Sequence, residues 1–221
     1  MDFLSSQPVP ILLAALTAVF IARQIGTWKS IIPLKYAFTP LITALIAGIA
    51  LCSICNSGAS AYRALILSAL VMSLVADTLL MIVEVNLMRY GILYFMLAHV
   101  LYILAFSIEY DFKSWNVILG ASMLLLLLLF YTRIRGKTSG LDAAVMVYTA
   151  VICLMIFFAA ARLGHEVNRS TVLSFAGAMV FLVSDFAIAL FTFIKPLKQE
   201  SVIVWSLYAP AQLLLALSCF V

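Results

Sequence analysis

Eight apolar stretches divide this sequence, and they limit its fold more than any other feature. They run over residues 9–22, 36–55, 62–83, 90–108, 115–132, 142–161, 171–194 and 202–220. A helix needs roughly 20 apolar residues to cross the hydrocarbon core of a bilayer. Inside that core every backbone N–H and C=O must be satisfied internally, which each helix does for itself. The expected fold is therefore all-α, a polytopic membrane protein built as a bundle of eight transmembrane helices. The first stretch is short when counted from Val9 and can reach back to Phe3. Composition points the same way, with 66% hydrophobic and only 10% charged residues, against about 25% charged in a soluble domain. A chain of 221 residues leaves room for a single domain, residues 1–221. No basic segment precedes the first stretch, so that stretch is expected to remain as a helix rather than to act as a cleaved signal. Cys52 and Cys55 have C-x-x-C spacing, but they lie in an apolar helix. With Cys153 and Cys219 they read as small apolar residues rather than as a redox or disulfide framework.

Lysine and arginine set the expected orientation. The odd connections carry Arg23, Lys29, Lys35, Arg89, Arg133, Arg135, Lys137, Lys195 and Lys198, and the even ones Arg63, Lys113, Arg162 and Arg169. This excess puts the odd connections in the cytoplasm and both termini on the non-cytoplasmic side. The net charge of +4 is scattered through short loops, so it reads as a topology signal and implies no nucleic-acid partner.

Two aspartates interrupt the apolar pattern. Asp77 lies in Leu74-Val-Ala-Asp77 of the third stretch, and the pattern returns as Leu182-Val-Ser-Asp185 in the seventh. A carboxylate deep in a membrane helix is disfavoured by ~3 kcal/mol on insertion scales, which makes it a functional-site candidate by default. Both helices run towards the cytoplasm, and at ~1.5 Å per residue both aspartates sit roughly 9–14 Å inside the boundary. The echo is consistent with a parallel repeat of helices 1–4 and 5–8. Helices 4 and 8 run back past the same depth with Tyr94, His99, Tyr102, Tyr208 and Gln212. Tyr208 and Gln212 share a face at i, i+4.

Two carboxyl groups in one low-dielectric pocket resist double ionisation. One acid beside one carboxylate is the arrangement that general acid–base catalysis uses. His99 could orient or share the proton, and the tyrosines and Gln212 could hold a polar head group. No G-x-S-x-G motif is present, and a metal centre would want more ligands than two aspartates and one histidine, so neither metal nor cofactor is expected. Each residue also has a plainer reading. Asp77 could cap polar contacts with Ser73 or Thr78, and Tyr208 could be an interfacial belt residue. Glu84 and Arg89 could form a solvated rim, His165 and Glu166 a loop surface, and Leu124 to Leu129 a lipid-facing row.

The segments Ser73-Leu-Val-Ala-Asp77, Leu97-Ala-His-Val-Leu-Tyr102, Val183-Ser-Asp185 and Tyr208-Ala-Pro-Ala-Gln212 together resemble the YhhN family, which includes the animal lysoplasmalogenases. The resemblance covers essentially the whole chain. It implies that Asp77 and Asp185 are the catalytic pair, and that the reaction is hydrolysis of the vinyl ether bond of a lysoplasmalogen without a cofactor. Protonation of the vinyl ether carbon would give an oxocarbenium ion for water to attack, with one aspartate as acid and the other as carboxylate. A lysophospholipid entering from the bilayer is the implied partner. The implied location is a bacterial inner membrane, or the endoplasmic reticulum of a eukaryote. The family often shows a Lys-Pro pair at the start of helix 2, where this sequence has Phe38-Thr39-Pro40. Lys35, one turn earlier, is the candidate substitute for head-group contact.

Paired intramembrane acids also build proton-coupled transporters. Against that alternative, only helix 8 is expected to carry a mid-span proline, Pro210. An ester-cleaving lysophospholipase would want a nucleophile that is not evident.

Overall fold

The computed structural model describes residues 8–82, 85, 87–108, 110–138, 140 and 142–220. Among them are eight helices: α1 (Val9–Trp28), α2 (Ile32–Ser57), α3 (Ala61–Met81), α4 (Met88–Phe106), α5 (Trp115–Ile134), α6 (Asp142–His165), α7 (Arg169–Phe193) and α8 (Glu200–Leu217). All eight are long and apolar enough to cross a membrane, and the chain is an integral multi-pass membrane protein. Local chemistry sets several ends. Ser60 caps α3 by accepting the Arg63 N–H. Asn168 and Thr171 form a reciprocal capping box at the start of α7, satisfying donors that the first turn leaves free. Gly58 ends α2 with φ of 80°, a left-handed conformation that costs glycine little.

The order of packing repeats. In each half, consecutive helices pack as α1 on α2, α2 on α3 and α3 on α4, then α5 on α6, α6 on α7 and α7 on α8. The halves meet chiefly where α2 packs on α8 and where α4 packs on α6, with lesser contacts of α1 and α3 on α8. Moving every helix on by four turns the first of these chief contacts into the second, whereas the lesser contacts of α1 and α3 on α8 have no comparable counterpart among the described residues. Close helix approach uses glycine in both halves. A methyl group on Gly91 would meet Leu80 at 2.4 Å, and one on Gly177 would meet Leu215 at 2.9 Å. Small residues at such crossings let backbones pack tightly where no aqueous hydrophobic effect drives association.

α6 runs on to His165, which was expected in a loop, and two other shifted boundaries matter for the site. α1 runs past Ala22 to Trp28, because Arg23 and Gln24 find polar partners on α8 and need not leave the helix. α2 starts at Ile32, so Lys35 lies inside a helix and Pro40 sits well within it. The expectation that only the eighth helix carries an internal proline is therefore corrected, since Pro40 in α2 joins Pro210 in α8. The expected rim residue Glu84 lies outside the described residues. α5 is the most peripheral helix, with Leu124, Leu125, Leu128 and Leu129 each more than half exposed, which suits contact with lipid. The four cysteines are unpaired, though Cys55 is exposed rather than buried.

Candidate active site

A cavity of about 740 Å³ opens at the end of the bundle that holds the odd connections, and every one of the eight helices contributes to its wall. That volume lies within the usual range for small-molecule sites, ~300–1,000 Å³. Most of its lining is apolar, including Leu80, Ile92, Phe95, Ile152, Leu182 and Phe186. The polar exceptions are Asp77 and Asp185, then Tyr148 and Tyr208, the hydroxyl side chains Thr39, Thr149, Thr192 and Ser201, and towards the ends of the helices Arg23, Lys35 and Arg89. The two aspartates from α3 and α7 thus line one cavity, as their sequence echo led us to expect.

Their surroundings are built by matching rules and filled with different residues. Each aspartate is met by the helix that precedes its own and by a helix from the other half. For Asp77 these are α2 and α8. The Thr43 hydroxyl donates to Asp77 Oδ2 at 2.5 Å, and the Tyr208 hydroxyl donates to the same oxygen at 2.8 Å. For Asp185 they are α6 and α4. The Tyr148 hydroxyl donates to Asp185 Oδ2 at 2.9 Å, and His99 Nε2 lies 3.8 Å from that oxygen. The second of these is too long for a hydrogen bond.

Behind Tyr208 the network continues into the core. The Gln212 amide N–H donates to the Tyr208 oxygen at 3.0 Å, and the Tyr102 hydroxyl donates to the Gln212 carbonyl oxygen at 2.6 Å. The three hydrogen bonds of this chain point one way, from Tyr102 on α4 through α8 to Asp77. Tyr102 and Gln212 are fully buried, so they reach the site through Tyr208 rather than by facing the cavity. Tyr208 is itself buried and is not a belt residue. Thr78 does not serve Asp77; its hydroxyl returns to the Leu74 carbonyl.

The tautomer of His99 follows from its other nitrogen. Nδ1 lies 2.6 Å from the Phe95 carbonyl oxygen, which can only accept, so Nδ1 carries the hydrogen. In the neutral ring Nε2 is then a lone pair. It has no hydrogen-bond partner and faces Asp185. Phe181 and Tyr148 hold the ring edge-on, at centroid distances of 4.7 and 5.4 Å.

The structure therefore gathers Asp77, Asp185, His99, Tyr102, Tyr208 and Gln212 into two connected clusters. Lys35 also lines the cavity, one turn from Thr39, which lines it too. Tyr94 stands apart, half-buried against the hydrophobic core and not part of the cavity lining. Three contributors were not legible from the sequence: Thr43, Tyr148 and Arg23. A threonine or tyrosine in an apolar run carries no signal of its own, and Arg23 read as a loop cation because the apolar run ended at Ala22. Among the described residues no three His, Cys, Asp or Glu side chains gather as a metal-binding group.

Comparison with known proteins adds the family context. The YhhN family model matches residues 34–219. The protein named Lysoplasmalogenase TMEM86A from Bos taurus is 31% identical over 153 residues, covering 67% of this chain and 62% of its own length. The Homo sapiens protein of the same name is 31% identical over 152 residues, with the same coverages. The chain thus spans less than two thirds of the length of these relatives. No solved structure matches.

Proposed function

The chain belongs to the YhhN family, and on that premise we propose that it is a membrane hydrolase. Its reaction is cleavage of the vinyl ether bond of a lysoplasmalogen, or of a related lysophospholipid, to a fatty aldehyde and a glycerophospho-base. The name shared by its relatives supports the reaction. The observation that carries the residue roles is the unlike hydrogen bonding of two aspartates on one cavity wall. Asp77 Oδ2 accepts two hydroxyl donors and suits the carboxylate. Asp185 has a lone pair beside it at His99 Nε2, a neighbour that suits a carboxylic acid with a proton to offer.

The steps balance with these two groups alone. Asp185 gives its proton to the alkenyl carbon one bond removed from the carbon that bears oxygen, leaving an oxocarbenium ion. Asp77 takes a proton from water as that water attacks the carbon bound to oxygen, forming a hemiacetal. The roles then reverse. Asp77 protonates the departing glycerol oxygen while Asp185 takes the hemiacetal hydroxyl proton. The C–O bond breaks, the aldehyde leaves, and one water has been consumed. The carboxylate of Asp77 also faces the cation as it develops, which is electrostatic stabilisation at the place where charge appears.

The test is release of free aldehyde from lysoplasmenyl-ethanolamine by the purified protein in detergent. Wild type is run beside Asp77→Asn and Asp185→Asn. Aldehyde from wild type and none from either folded variant is expected. Undiminished aldehyde from both variants would overturn the mechanism. An intact wild type that makes none would overturn the hydrolase reading.

One observation favours a second reading, proton-coupled transport. Both helices that bond Asp77 contain internal prolines, Pro40 near Thr43 and Pro210 near Tyr208, and transporter sites use interrupted helices. Proton flux driven by a lysolipid gradient in proteoliposomes, abolished by Asp77→Asn, would favour it.

With the odd connections in the cytoplasm the cavity would open to that side and both termini would lie opposite. Reaction of a single cysteine placed at Lys137 with a membrane-impermeant thiol reagent in sealed vesicles of known sidedness tests the orientation.

A further inference from the structure

Arg23 is the largest fully buried side chain among the described residues, and it has no carboxylate partner. Burial of an unpaired charge is costly, so the position needs an explanation. Its guanidinium lies over the Trp205 ring, 4.4 Å from the centroid. The remaining contacts are neutral: Gln24 Oε1 at 2.9 Å, the Ser201 carbonyl at 3.1 Å and Ser201 Oγ at 2.7 Å. The Nε–H has no partner, and the residue lines the cavity. Lys35 lines the same cavity, close enough to Arg23 for the two cations to repel one another, with Glu200 offsetting part of that charge. Asp77 is near enough to attract Arg23 without pairing with it.

We propose that Arg23 and Lys35 form an anion subsite in this cavity that holds the phosphodiester of the lysolipid head group. This rests on the hydrolase reading and names the place where its substrate is anchored. The chemistry fits a phosphate better than a carboxylate from the chain itself. A guanidinium offers a planar fork that matches phosphate oxygens, and an ammonium supplies a point charge beside it. Trp205, Gln24 and Ser201 hold the guanidinium at the cavity wall without neutralising its charge, and they leave the Nε–H unpartnered. Three helices, α1, α2 and α8, bring the parts together, and α1 lies outside the matched family region. In a lysoplasmalogen only the glycerol carbons separate the phosphate from the vinyl ether. A ligand with its phosphate at Arg23 and Lys35 therefore reaches the neighbouring Asp77. The opposite end of the bundle offers the contrast. Arg162 also lies over an aromatic ring, Tyr62 at 4.3 Å, but it contacts the Ser170 and Ser174 hydroxyls and lines no part of this cavity.

The experiment compares two substrates in the full-length protein, lysoplasmenyl-ethanolamine and the phosphate-free 1-alkenylglycerol, for wild type, Arg23→Gln, Lys35→Gln and Arg162→Gln. For Arg23→Gln a rise in KM of about 10- to 100-fold is expected on the phosphorylated substrate. Its kcat should hold, and the phosphate-free substrate should be indifferent. Arg162→Gln should not separate the two substrates. An equal loss on both substrates in Arg23→Gln would overturn the subsite and make Arg23 a tuner of Asp77. Calorimetric binding of glycerophosphoethanolamine and of inorganic phosphate gives a readout independent of turnover. Binding weakened by Arg23→Gln supports the subsite even if wild type releases no aldehyde, whereas binding unchanged by the substitution overturns it. Preference for glycerophosphoethanolamine over inorganic phosphate identifies the lipid head group as the source. Should Arg23→Gln fail to fold, Lys35→Gln, a half-buried position, carries the same comparison.

Discussion

The two aspartates sit at equivalent places in the two halves of the bundle, yet their environments differ in a way that bears on chemistry. Asp77 accepts from Thr43 and Tyr208 and is backed by Gln212 and Tyr102, so its side is a one-way chain of donors ending on a carboxyl oxygen. Asp185 accepts only from Tyr148 among the described residues, and its other neighbour is the bare nitrogen of His99. The common scaffold sets where each carboxyl group stands, and the residues on the four surrounding helices set what each can do. One site is filled with donors and the other is left with an acceptor. That difference is what separates a resident carboxylate from a proton donor in the proposed reaction.

The largest expected effect breaks the comparison outright. Asp185→Asn removes the acid proposed to protonate the alkenyl carbon and should lower aldehyde release about 10⁴-fold. Asp77→Asn should cost about 10²-fold or more, since water attack on an oxocarbenium ion needs less help than its formation. A larger loss in Asp77→Asn than in Asp185→Asn would exchange the roles. Next come the two tyrosines. Tyr208→Phe removes one donor to Asp77 and also strands the buried Gln212 N–H, so it should destabilise the fold by about 1–3 kcal/mol, read as a lower thermal midpoint in detergent. Tyr148→Phe removes the one hydroxyl donor to Asp185, but that carboxyl lines the cavity where water can replace it, so it should lower kcat with a smaller change in midpoint. Equal midpoints would mean the Tyr102–Gln212–Tyr208 chain does not act as a unit. Thr43→Val keeps the side-chain shape while removing one of two donors to Asp77. Its expected loss in kcat is about tenfold, smaller than for Asp77→Asn because the Tyr208 donor remains. The smallest effect is a null one: dialysis against a chelator should leave aldehyde release unchanged, and its loss would show that a metal ion takes part.

The aspartates were legible in the sequence because a charge in an apolar run has no cheap explanation, and the echo of Leu74-Val-Ala-Asp77 in Leu182-Val-Ser-Asp185 doubled the signal. Their partners were legible in part. Tyr208, Gln212, Tyr102 and His99 fall at the right depth on returning helices, but nothing in their spacing shows that Gln212 bridges two tyrosines while His99 faces the other aspartate. Thr43 was invisible because a short hydroxyl is tolerated almost anywhere in an apolar helix through its own backbone, as Thr149 does with Val145, and Tyr148 because its ring passes as one more apolar residue. Tyr94 shows the converse. It shares the depth and residue type of the site and still packs into the core. The ends of α1 and α2 were misplaced for a related reason, since hydropathy stops at Arg23 whereas the helix continues wherever the polar side chain finds a partner.

What the sequence determined by itself is the eight-helix membrane fold and the matching places of its two acids along α3 and α7. Apolar run length and the need to satisfy every backbone group in lipid leave no other solution. What only the tertiary structure decided is which helices face which aspartate. That choice is made by interhelical packing, through small residues such as Gly91 and Gly177 and through contacts such as those of Arg23 with α8. These join residues far apart in the chain, and no local pattern records them.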